Sequence, residues 1–208
     1  MDAFAELLTP DNAALVLIDH QAGLAFGVQS IDRQVLLNNT VALVRAALAF
    51  DLPIVISTSA TKVYSGPLLP ALRQWLPEHT VWERRNMNVW EDEAALQAIR
   101  ATGRRKLLFS GMLTEACVTF PVLCAQAEGY EAYVVDDACG GASSLGHGAA
   151  LQRMSAAGAR VTSWLQVLLE LQRDWTRHAT YDAAREVVVA NGGGYGIGLN
   201  YVRDVAPR

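Results

Sequence analysis

Lysine is almost missing from this chain: Lys62 and Lys106 are the only two in 208 residues. Acidic residues outnumber basic ones, 21 to 17, for a formal net charge of -4. The basic surplus that a nucleic-acid surface needs is therefore absent. Cysteine is scarce as well. Cys117, Cys124 and Cys139 are too few for a disulfide scaffold, and no C-x-x-C pair exists to make a thiol-redox centre. Cys117 and Cys124 fall nearly two turns apart on one predicted helix, too far to bond to each other. No apolar run is long enough to span a bilayer. The start, Met1-Asp-Ala-Phe-Ala-Glu6, is acidic and lacks the basic region of a secretory signal. Together these absences predict reduced thiols, a cytoplasmic location, and neither membrane nor nucleic acid as partner. The glycines of Gly140-Gly141-Ala-Ser-Ser144 match neither the G-x-G-x-x-G nor the Walker pattern, which argues against a nucleotide cofactor.

What is present is apolar residue: 51% of the chain is hydrophobic and 18% charged, enough for a large buried core. Ala13-Ala-Leu-Val-Leu-Ile18 is an unbroken apolar run of strand length, the mark of a strand buried on both faces. Residues 53–57, 106–110, 132–135 and 159–162 repeat it, and residues 80–82 make a shorter strand. Between them lie helical patterns over residues 32–50, 92–101, 118–128, 143–157, 164–175 and 181–190. Gly103 and Gly158 stand where two of these helices stop. Alternating strand and helix predicts an α/β fold, a doubly wound parallel sheet with helices on both faces. The common strand order for such a sheet is 3-2-1-4-5-6. Residues 1–190 read as one domain, and residues 191–208 as a Gly-rich, flexible C-terminal tail. Tyr195, Ile197, Leu199 and Tyr201 would let that tail serve as an arm in a homo-oligomer.

In that strand order the chain reverses direction between strands 1 and 4, and ligands bind at the carboxyl ends of those strands. Asp19 follows strand 1. Cys117 follows strand 4, where the strand hands over to a helix. A thiol there meets unpaired N–H groups and the positive helix end, both of which favour the thiolate. The topology thus brings an acid and a thiol together from distant parts of the sequence. Taken singly, Asp19 could be a helix cap and Cys117 a buried structural residue. Cys124 reads as a small core residue, and Cys139 as a residue of a Gly-rich loop whose distance from the site spacing alone does not fix. His20 should point away from Asp19 and serve packing or hydrogen bonding, and His147, which opens a helix, reads as structural.

Several segments together resemble the isochorismatase-like cysteine hydrolases, over residues 12–175. They are Asp19-His-Gln-Ala-Gly23, Asn88-Val-Trp90, Gly111-Met-Leu-Thr114-Glu-Ala-Cys117-Val118, Val134-Val-Asp-Asp-Ala138, Arg153-Met-Ser-Ala-Ala-Gly-Ala159 and Glu170-Leu-Gln-Arg-Asp-Trp175. The match is with a bacterial homo-oligomeric branch, some of whose members are octameric and whose substrate is unsettled. The family uses an Asp, Lys and Cys site. Asp19 and Cys117 match it, but no lysine does: Lys106 sits at the far end of strand 4, and Lys62 follows strand 2. The resemblance places Arg84, after strand 3, in the lysine's position, with Arg85 as its neighbour. The same branch carries arginine there. Arginine cannot shuttle protons but can act as a fixed cation.

The resemblance further implies a cis Met112–Leu113 peptide and an oxyanion hole made by the Leu113 and Cys117 backbone N–H groups. It implies a small-molecule substrate, a small amide cleaved at its C–N bond through a thioester. No metal is expected. Family members that hydrolyse nicotinamide carry Asp-x-His and a further His after strand 2, and residues 57–66 here contain no histidine or acid. Phe26, Trp82 and Trp90 are candidate substrate-pocket residues, with core or interface packing as the alternative for each. Two other readings of the site stay open. One is vinyl ether cleavage of the isochorismatase type, which needs the aspartate and not the cysteine. The other is an oligomeric scaffold of the same fold that has lost turnover.

Overall fold

The structure, a computed structural model, describes residues 7–205. The acidic start read from residues 1–6 lies outside the described residues, as do the last three residues of the tail.

Six strands form one all-parallel sheet: β1 Ala13–Ile18, β2 Ile54–Ser59, β3 Val81–Arg84, β4 Lys106–Gly111, β5 Glu131–Val135 and β6 Arg160–Thr162. Their order across the sheet is β3-β2-β1-β4-β5-β6, the predicted order. β1 and β4 lie side by side at the centre, with Ile18 opposite Gly111. Every residue of both strands is buried, which accounts for the apolar run of β1 and the Leu107-Leu108-Phe109 centre of β4.

Alternation along β1 feeds two cores. Ala13, Leu15 and Leu17 enter one apolar cluster with Leu43, Leu108, Trp164 and Val187. Ala14, Val16 and Ile18 enter the other with Phe109, Val118, Val122 and Met154. The helices divide accordingly. α1 Arg33–Ala49 covers the first face; α2 Glu93–Ala101, α3 Thr119–Ala127 and α4 Ser144–Ala156 cover the second. α5 Trp164–Gln172 and α6 His178–Asn191 return to the first face. Side-chain caps start several of them: Asp32 accepts from the Gln34 and Val35 amides, Asp92 from Ala95, Ser143 from Gly146 and Ser163 from Gln166.

Two departures from the sequence reading matter. The helix predicted from residue 118 is preceded by a π-turn, Thr114–Val118, so Cys117 sits inside a turn and not at a simple helix start. The Gly-rich tail is not irregular. Gly194–Val205 forms a helix, α7, against α6. Glycine here permits close packing: a Cβ on Gly196 would lie 2.5 Å from the Val188 carbonyl oxygen. α7 leaves Ile197, Tyr201, Val202 and Val205 on its outer side, all exposed. No helix among the described residues is long and apolar enough to cross a membrane.

Candidate active site

Three strands deliver the site. Asp19 directly follows β1 with φ of 55°, a left-handed conformation that aspartate tolerates better than most side chains. Its N–H donates to the Ser57 carbonyl on β2 at 2.9 Å, which ties the turn to the sheet. Arg84 is the last residue of β3, and β2 lies between it and β1. Two strand spacings amount to roughly 10 Å, a gap only a long side chain can bridge. The Arg84 guanidinium bridges it: Nη1 and Nη2 each donate to one oxygen of Asp19 at 2.6 Å. Nη2 also donates to the Met87 carbonyl at 3.0 Å, while the buried Nε has no hydrogen-bond partner. The neighbouring Arg85 is exposed, and the two lysines stand elsewhere, Lys62 exposed in the turn Thr61–Ser65 and Lys106 at the start of β4.

Cys117 completes the group. It is buried, in the second core cluster, and its sulfur faces the Asp19 carboxylate, the Arg84 guanidinium and the Leu113 N–H. Burial and the adjacent Asp19 push its thiol up to about 12, against the smaller opposing pull of Arg84 and the Leu113 amide. The thiolate expected from a helix-start position is therefore not the resting form: the π-turn encloses the sulfur, and loss of solvent outweighs the nearby positive groups. Burial also works against the charge on Arg84, but the hydrogen bonds and negative charge of Asp19 prevail and hold the guanidinium above its ordinary range. The Met112–Leu113 peptide is cis, as the resemblance implied.

The supporting residues were only partly legible. His20 turns to Ser110, with Nε2 2.9 Å from its Oγ. The Ser110 hydroxyl donates to the Ala138 carbonyl at 2.6 Å, so Nε2 of His20 is the donor of that pair. Burial pushes His20 down to about 4, so it is neutral and structural. Gln21 staples the loops after β1 and β2: its amide donates to the Ser59 and Gly66 carbonyls and accepts from the Ser59 N–H. Its place directly after Asp19-His20 was the one available signal. Cys139 is fully buried and directs its sulfur to the Phe109 carbonyl at 3.8 Å, whereas Cys124 is half-buried beside Asn88. His147 bonds both Thr114 and Asp136, a link that sequence spacing cannot show.

The three aromatic candidates take different environments. Trp90 is core: it packs on Phe109 and Tyr130 and donates Nε1–H to Glu128 at 3.0 Å. Packing, the alternative weighed for it, is what its surroundings show. Trp82 is half-buried on β3 against the second core. Phe26 is 78% exposed, beyond the loop after β1. A separate cavity of about 330 Å³ lies between α6 and α7, lined by Trp175, His178, Tyr181, Arg185 and Tyr195 among others, away from the Asp19–Cys117 group.

An isochorismatase domain matches residues 13–166. The chain belongs to the isochorismatase family of hydrolases. It is 40% identical to the probable hydrolase YcaC of Escherichia coli over 169 residues, 81% of each chain. The crystal structure of the E. coli YcaC gene product, described as an octameric hydrolase of unknown specificity, superposes with a TM-score of 0.92 at 35% identity. That superposition covers 97% of this chain and 98% of the other. YcaC from Pseudomonas aeruginosa, solved with hexane-2,5-diol and covalent acrylamide, gives a TM-score of 0.91 at 34% identity, covering 95% and 98%.

Proposed function

We propose that this chain is a cysteine hydrolase that cleaves the C–N bond of a small amide through a thioester. The observation that carries this reading is one arrangement. An aspartate gripped at both oxygens by a buried arginine faces a cysteine sulfur at the carboxyl ends of the two central strands. In this mechanism Asp19 accepts the Cys117 proton as the sulfur attacks the carbonyl carbon. The Leu113 and Cys117 N–H groups hold the oxyanion, each contributing about 3 kcal/mol to the transition state. Collapse breaks the C–N bond, and Asp19 returns the proton to the leaving amine. Water, deprotonated by Asp19, then attacks the thioester, and the acid departs as the thiol re-forms. Arg84 exchanges no proton; it orients Asp19 and offsets the charge on sulfur.

The thiol raised to about 12 supports the coupled order of these steps, in which proton transfer accompanies attack. It equally favours the second reading, an oligomeric scaffold with an inert site. The covalent acrylamide of the P. aeruginosa relative weighs towards the enzyme, because acrylamide is both a small amide and an electrophile. No cofactor enters the mechanism. Phe26 and Trp82 stand as the pocket aromatics of this reading. The octameric E. coli relative supports a homo-oligomer here too, with the outer side of α7 as a subunit contact.

The deciding experiment is a screen of the purified chain against small amides, nitriles and esters, followed by Cys117→Ala on any substrate found. Abolished turnover supports the mechanism; unchanged turnover removes Cys117 from it. Failure of acrylamide to modify Cys117, with no substrate found, would leave the scaffold reading in place.

A further inference from the structure

Beside the proposed nucleophile runs a chain of polar groups that the mechanism above does not use. Nε2 of His147 stands 2.7 Å from Oδ1 of Asp136, and Nδ1 stands 2.9 Å from Oγ1 of Thr114. A carboxylate can only accept, so Nε2 carries a ring proton, and in the neutral ring Nδ1 accepts from the Thr114 hydroxyl. The chain leads inward: the Asp136 side chain is 42% exposed, the His147 side chain 14%, and Thr114 not at all.

A carboxylate, an imidazole and a hydroxyl in series are the parts of an activated hydroxyl nucleophile. Burial decides against that role, because a hydroxyl with no exposed surface cannot meet a substrate carbon. What the chain does grip is the turn that carries Cys117. Thr114 opens that turn; its N–H donates to the Gly140 carbonyl at 3.0 Å, and its carbonyl accepts from the Thr119 hydroxyl at 2.6 Å. With His147 on its side chain, Thr114 is held at all three of its polar groups. Leu113, whose N–H faces the Cys117 sulfur, is the next residue back.

A second contact fits the same two segments together. Glu115 accepts from the Ala142 N–H at 2.9 Å. A Cβ on Gly141 or Gly146 would lie 3.1 Å or 2.6 Å from the Glu115 carboxylate, so residues 140–147 lie flush against the turn. Asp136 and Glu115 are the charged groups beside His147.

We propose that Asp136, His147 and Thr114 form a positioning chain that keeps the Leu113 N–H on the Cys117 sulfur by fixing the turn between them. Its consequence for turnover rests on the cysteine-hydrolase reading, but its test does not. The intact chain carrying Thr114→Val, Thr114→Ser, His147→Phe, or Thr114→Val with His147→Phe is treated with iodoacetamide at one mildly alkaline pH. Modification of Cys117 is followed by peptide mass spectrometry, separately from Cys124 and Cys139. Thr114→Val and His147→Phe should each slow Cys117 alkylation about tenfold, the effect of losing a hydrogen bond to a charged sulfur. Thr114→Ser should stay within about twofold of the native chain, and the double variant should be no slower than either single one. Asp136→Asn, at a half-exposed position, supplies the same test should a buried variant fail to fold. It disturbs the histidine tautomer and should slow alkylation too.

Native rates in Thr114→Val and His147→Phe would overturn the proposal, and so would additive effects in the double variant. Faster alkylation would also overturn it, since that is what mere loosening and exposure of the turn produces. Turnover that survives Cys117→Ala would end the hydrolase reading while the alkylation rates still judged the chain.

Discussion

The guanidinium of Arg84 and the carboxylate of Asp19 meet through two parallel 2.6 Å hydrogen bonds, with both side chains wholly out of solvent. Bidentate pairing of this kind is the strongest geometry open to two side chains, and it fixes direction as well as charge. Each Asp19 oxygen keeps a further lone pair, so the carboxylate can be held by Arg84 and still receive a proton from Cys117. The pair need not add stability, because burying both ions costs about as much as their attraction returns. What the geometry does fix is the direction of the Asp19 carboxylate.

Removing one partner exposes that cost. Arg84→Gln should destabilise the fold by about 3–5 kcal/mol, because it leaves the Asp19 charge buried and alone. Arg84→Lys retains a cation and loses the fork, so it should melt closer to the native chain and keep measurable turnover. Thermal melting of the two variants checks this; a glutamine variant as stable as the native chain would refute it.

The buried thiol makes a distinct kinetic prediction. With Cys117 pushed up to about 12, its alkylation by iodoacetamide should climb about tenfold per pH unit, with no plateau near neutrality. Asp19→Asn removes a negative neighbour that raises the thiol, so that variant should alkylate faster while losing turnover. A plateau near neutral pH in the native chain would show a resting thiolate and contradict the assignment.

His20 sets an acid limit on stability. Burial holds it at about 4 in the fold, below its value in the unfolded chain, so the unfolded chain binds the extra proton. The native advantage is complete above about pH 6.5 and declines as pH falls towards about 4, by roughly 3 kcal/mol. Urea unfolding measured across this range should show the decline, and His20→Gln should flatten it.

Gly23 marks where the loops after β1 and β2 touch. An added Cβ would fall 2.0 Å from the Tyr64 carbonyl oxygen and 2.8 Å from the Ser65 Cα. Both are main-chain atoms that cannot swing aside, so Gly23→Ala should cost at least 1–3 kcal/mol, about the range for overpacking. It should also speed proteolysis within Thr61–Ser65. Unchanged denaturation and cleavage would show that the loops yield freely.

Much of this protein could be read from its residue order. The unbroken apolar run of β1 and the shorter one in β4, Leu107 to Phe109, announced buried parallel strands, and alternation with helices led to the observed strand order. That order alone puts Asp19 and Cys117 at one crevice, because neighbouring parallel strands end on the same side. The family resemblance added Arg84. Spacing could not have found it, since the arginine reaches across an intervening strand. Glycine in the tail misled, because composition records freedom of the chain and not the surface it packs on; Gly196 lies against α6 inside a helix.

Sequence thus determined which elements form and in what order they stack, since period and run length follow from local geometry and burial. Only the tertiary structure decided the state of the site. Whether Cys117 is thiol or thiolate depends on how much solvent the π-turn excludes and on the charges three strands bring to it. Which groups steady that turn depends on His147 reaching Thr114 from 33 positions along the chain. Electrostatics and hydrogen bonds act through space, and distance along the chain does not report it.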